Sequence, residues 1–93
     1  MGLDIYVGGQ ITPKSIPVAT VNLPSELINF LNAKNIFIDE YDTCHLQKEQ
    51  IVILEKLVNE YLETKYLEKK YLKDVQTLIE IGKNNSGITL VGD

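Results

Sequence analysis

From Leu46 to Ile81 the chain runs 36 residues without a glycine or a proline. Every residue type in that run is compatible with a helix, and its leucines, glutamates and lysines favour one. A single straight helix of this length would extend about 54 Å at 1.5 Å per residue. A compact chain of this size has a radius of gyration of only about 12 Å. The run therefore folds back as a hairpin or projects as a stalk that needs a partner.

The apolar positions bear on that choice. Ile51, Leu54, Leu57, Val58, Tyr61 and Leu62 make one stripe at helical spacing, and Leu67, Tyr71, Val75, Leu78 and Ile79, flanked by Leu72, make a second. Glu63, Thr64 and Lys65 between them are polar. An internal repeat, YLETK-YLEKK-YLKDV, begins at Tyr61, Tyr66 and Tyr71. A period of five advances about 140° net per repeat on an α-helix, so the three Tyr-Leu pairs cannot share a face. No heptad is sustained, which counts against a dimeric coiled coil. These features predict two helices, over 47–63 and 66–82, with a break around Glu63–Glu68. Leu46 is placed to staple onto Ile51, Gln47 and Gln50 to form a capping pair, and Gly82 to close the second helix.

Elsewhere the chain alternates. Leu3, Ile5 and Val7 fall on one side of a strand, with Asp4 and Tyr6 on the other. Gly8-Gly9 permits a turn or bulge. Pro13 and Pro17 exclude a central strand between Ile11 and Val21, leaving an edge strand near Ile16–Thr20. Asn22-Leu23-Pro24-Ser25-Glu26 starts a helix whose inner face holds Leu27, Phe30 and Leu31 beside Ile28, and Asn35 is a stop. Ile36–Tyr41 reads as a strand with Ile36 and Ile38 on one side. Lys83–Gly87 is a loop by composition, and Ile88–Val91 a closing strand. The order β-(β)-α-β-α-α-β predicts one domain, 1–93. Its fold class is an α/β or α+β two-layer sandwich. A three- or four-stranded sheet is covered by three helices, the last two a helical hairpin, with the terminal strands paired at its centre.

The composition, 44% hydrophobic and 24% charged, is that of a globular domain. No apolar run reaches the length of about 20 residues that spans a bilayer. An acid at Asp4 and no lysine before Lys14 do not fit a secretory signal, so the expected location is cytoplasmic. Arginine is absent, all nine basic residues are lysines, and the net charge is −4. Nucleic acid is therefore a disfavoured partner, and a protein with a basic surface is a favoured one. Lys65, Lys69, Lys70 and Lys73, interleaved with Tyr66 and Tyr71, could stack on single strands. Glu63, Glu68 and Asp74 lie among them, however, and Lys70 can pair with Asp74, so the patch reads as a solvated helix face. GGQITPKS, residues 8–15, imitates a phosphate-binding loop, but Pro13 stands where that motif needs glycine and Pro17 opposes a following helix.

The segment Asp39-Glu40-Tyr41-Asp42-Thr43-Cys44-His45 gathers three acids with the sole cysteine and sole histidine. As a metal site it would need Asp42, His45 and a further acid to converge, without any family spacing. As a nucleophile and base, Cys44 and His45 would be adjacent residues with no orienting third group. As ordinary structure, Cys44 is a small buried hydrophobe and the acids a solvated strand end. As a recognition surface, Asp39, Glu40 and Asp42 surround Tyr41, a residue suited to interfaces. No cofactor, metal or catalytic residue is assigned. The leading functional expectation is a small acidic, non-enzymatic protein-binding protein of the immunity, antitoxin or anti-defence inhibitor type. It would bind through Asp39, Glu40, Tyr41 and Asp42. The alternative is an assembly module that homo-oligomerises through 46–81, and the third class is an enzyme or metal site at 39–45.

Overall fold

The computed structural model describes residues 2–8 and 14–92. Within them run β1 (Leu3–Tyr6), β2 (Ala19–Val21), α1 (Ser25–Ala33), β3 (Thr43–Gln47), α2 (Lys48–Thr64), α3 (Lys69–Asn84) and β4 (Gly87–Gly92). The sheet is antiparallel throughout, in the order β2-β1-β4-β3, so the two terminal strands do pair at its centre. With three helices and a four-stranded antiparallel sheet, the architecture is the expected α+β one. Residues 9–13, which hold most of the phosphate-loop-like segment and Gly9 of the expected turn, lie outside the described residues.

The pleat sorts the sheet into two faces. Ala19, Ile5, Leu90 and Cys44 stand in register across all four strands, and Leu3, Val21, Ile88 and Leu46 share their side. Apart from half-buried Ala19 and Cys44, these residues are buried. Packing of α2 on β3 and β4, and of α3 on β4 and β2, covers this face. The opposite face carries Asp4, Tyr6, Thr20, Thr43, His45, Thr89 and Val91. There Thr20 donates to Asp4 (2.7 Å), and the His45 Nδ1 lies 2.8 Å from the Thr89 hydroxyl.

The long helical run is a hairpin, as its two stripes predict. Ile51, Leu54, Leu57, Val58 and Tyr61 of α2, and Val75, Leu78 and Ile79 of α3, all enter one core. The radius of gyration, 12.4 Å, leaves no room for a projecting stalk. Lys65 and Glu68 are extended, which opens the break where the sequence turns polar. At the start of α2 the Gln47 N–H donates to the Gln50 side chain (2.8 Å), while Leu46 and Ile51 are both buried. Gly82, however, does not close α3. The helix continues to Asn84, and Gly82 is buried where α3 crosses α2. A Cβ there would stand 2.7 Å from the Ile51 Cδ1, so the glycine lets the two helices approach. The loop expected over Lys83–Gly87 shrinks to Asn85 and Ser86.

Two strand expectations also shift. The edge strand is Ala19–Val21 rather than Ile16–Thr20, with Ile16 85% exposed. The predicted strand at Ile36–Tyr41 is an extended loop, and β3 begins two residues after it. The alternation itself is real, since Ile36 and Ile38 are buried and Phe37 is not. The backbone groups of the segment are satisfied differently. Helix α1 ends in a Schellman motif with Asn35 at φ 69°, where the Ile36 N–H donates to the Leu31 carbonyl (2.9 Å) and the Asn35 N–H to that of Asn32 (3.1 Å). The Asn32 side chain then takes both backbone groups of Ile38, accepting from its N–H (2.9 Å) and donating to its carbonyl (3.3 Å). A side-chain amide thus does what a neighbouring strand would have done.

Candidate functional site

Strands β2 and β3 lie at opposite edges of the sheet, so residues 22–42 must carry the chain from one edge to the other. That crossing positions the acidic segment. Pro24, at the N-cap of α1, accepts from the Leu27 and Ile28 N–H groups, and the Asn22 N–H donates to the Asp74 carboxylate of α3 (2.7 Å). Asp74 therefore anchors the start of α1 rather than pairing with Lys70, which instead lies 4.0 Å from Glu68 and over the Tyr71 ring. The loop after α1 returns along the helix. It is clamped at Ile38 by Asn32, and Glu40 accepts from the Ser25 hydroxyl (3.2 Å).

Its far end is held by β4. The Gly92 N–H donates to the Asp42 carbonyl (2.9 Å), and a Cβ on Gly92 would overlap the Glu40 carbonyl. Only glycine allows the loop this close to the strand. Inside the loop, Asp39 accepts from the Tyr41 N–H (2.8 Å) and Asp42 from the Thr43 N–H (2.7 Å). Each carboxylate keeps further acceptor capacity for an incoming donor.

The resulting surface brings Asp39, Glu40, Tyr41 and Asp42 together on one short loop, as the sequence predicts. It adds Phe37, which matches Tyr41 at 64% exposure. Phe37 escaped the sequence reading although the signal was present: an apolar residue between two inward-facing isoleucines must face out. Ser25, Asn29 and Asn32 were also missed, because their role depends on α1 lying against a loop distant from Ser25 in sequence. Together α1 and the loop flank an open groove of about 650 Å³.

Cys44 and His45 do not form a site. They are successive residues of β3, so the pleat sends Cys44 to the helix side and His45 to the open face. Burial pushes the Cys44 thiol above its ordinary value, opposed by a hydrogen bond with the Asp39 backbone and reinforced by the charges of Asp39 and Asp42. A thiol held protonated is a poor nucleophile. Among the described residues no three metal-ligating side chains converge, and no helix is long and apolar enough to cross a membrane.

The outer edge of β3 is largely closed. Since Asp42 bonds to Gly92, alternation turns Cys44 and Leu46 toward β4 and Thr43, His45 and Gln47 outward. The outward N–H groups of Thr43 and Gln47 are taken by Asp42 and Gln50. Two of the three outward N–H groups of this edge are thus occupied, which disfavours strand addition beside the loop. No protein-family model matches the chain, and no curated protein or solved structure shows significant similarity to it.

Proposed function

We propose that this chain is a small acidic, non-enzymatic protein-binding protein that covers a basic site on its partner, an inhibitor of the immunity, antitoxin or anti-defence type. The observation that supports the reading is a pair of exposed aromatic rings, Phe37 and Tyr41, set among Asp39, Glu40 and Asp42 on a loop pinned to α1 and β4. Rigid aromatic area offers contact at low entropic cost, and the acids steer a basic partner. The assembly alternative has less to draw on, because most of both apolar stripes of the hairpin is buried in the chain's own core, with Leu62, Tyr71 and Leu72 half-buried against it.

Parallel capture from lysate at low salt, with the chain and its D39K/E40K/D42K variant as baits, tests the proposal. A partner held by the parent chain, released as salt rises and lost by the variant at unchanged circular dichroism is the expected result. Equal capture by both baits would end the role of the loop. A monodisperse oligomer with no partner would favour assembly instead.

A further inference from the structure

Building on the protein-binding reading, we propose that the groove between α1 and the 36–42 loop receives an arginine side chain of the partner. Buried Ile28 and Ile38 line the inner side of the groove, exposed Phe37 and Tyr41 line it with aromatic rings, and Asp39 and Glu40 contribute carboxylates. No lysine lines it, so the charge of its wall is uncompensated there. Its volume of about 650 Å³ lies within the range of about 300–1,000 Å³ typical of ligand sites, room for a whole side chain and its flanking backbone.

The chemistry of the lining selects arginine over lysine. A guanidinium stacks flat on a ring face and offers a planar fork to a carboxylate, whereas an ammonium is a compact, strongly hydrated charge that gives up water reluctantly. The Asn29 amide, which also lines the groove, makes no hydrogen bond among the described residues, so its oxygen is an acceptor for a remaining guanidinium N–H. Asn32 is committed to Ile38 and holds the loop wall in place.

An NMR titration of the labelled chain with acetyl-Gly-Arg-Gly-amide, and with its lysine and citrulline counterparts, tests this assignment. Shifts confined to Asn29 and to 37–41, strongest for arginine and absent for citrulline, are expected. Phe37→Ala and Tyr41→Ala each remove an exposed ring and should weaken the arginine peptide by about two- to five-fold, the worth of an exposed cation–π contact. Equal shifts for lysine and arginine, or shifts spread over exposed acids such as Glu49, Glu60 and Glu80, would overturn the groove assignment. If capture nevertheless stayed sensitive to D39K/E40K/D42K, the protein-binding reading would stand without it. Arginine binding in the groove with capture indifferent to charge reversal would overturn that reading, and with it the partner assigned here.

Discussion

The α2–α3 hairpin and the 36–42 loop both lie against the rest of the fold, but different forces hold them. The hairpin is anchored by apolar area. Ile51, Leu54, Val75 and Leu78 are each at most 1% exposed, and Phe30 of α1 packs edge-on against Tyr61 at 5.3 Å. Its polar contacts are secondary, since the Glu55–Lys83 bridge (2.7 Å) is solvent-exposed, and such pairs contribute about 0–1 kcal/mol. The loop buries only Ile36 and Ile38 and owes its course to directional contacts with Asn32, Ser25 and Gly92. Apolar burial tolerates small shifts, whereas a hydrogen-bonded loop keeps its shape only while each partner stays in place.

Perturbing each region separately should expose the contrast. Leu54→Ala leaves a cavity at the centre of the hairpin, and should cost about 2–5 kcal/mol in urea denaturation. Its effect should appear as a global loss of amide protection. Asn32→Ala strands the two backbone groups of Ile38, at about 1–3 kcal/mol. This change should act locally, raising hydrogen exchange and proteolysis at 36–42 while the hairpin amides stay protected. Equal loss of protection in both regions would mean that the loop and the hairpin unfold as one unit.

Alkaline pH reaches the hairpin through buried Tyr61 and the strand after the loop through half-buried Cys44. Burial pushes the Tyr61 hydroxyl up, and the charge and hydrogen bond of Glu26 add to the shift. Cys44 moves in the same direction. For both groups the folded value exceeds the unfolded one. Their contribution to stability is therefore complete below the unfolded values, about 8.5 for cysteine and about 10 for tyrosine, and is lost as pH rises through the folded values. The guanidinium midpoint should hold near neutral pH and fall toward pH 11, and native Cys44 should react with thiol reagents far more slowly than in urea. A midpoint that climbs with pH would contradict the assignment. The smallest effect on stability per position belongs to D39K/E40K/D42K, about 0.5–1.5 kcal/mol for each hydrogen bond lost by Tyr41, Ser25 and Thr43. Asp39 and Asp42 are exposed and Glu40 half-buried, so water can take the freed donors. Partner capture should change most in this same variant.

Much of this was readable in the chain itself. The stripes of α2 and α3, the polar break, the Leu46–Ile51 pair and the Asn35 stop each follow from spacing within one element, where local geometry fixes which residues meet. The Asp39–Asp42 cluster was readable for the same reason, being contiguous. Tertiary partners decided the rest. Ile36–Tyr41 has the alternation of a strand, yet Asn32 and Leu31 occupy its backbone groups before any strand can. Thr43–Gln47, weaker by pattern, becomes β3 because it lies where the free edge of β4 can pair with it. Gly82 looks like a helix stop in sequence and serves as a helix contact, since only the position of Ile51 reveals why its Cβ is missing. Periodicity records which side of an element is apolar. Which neighbour meets that side, and which amide reaches a distant backbone, depends on contacts between segments far apart in the chain, and those exist only once it has folded.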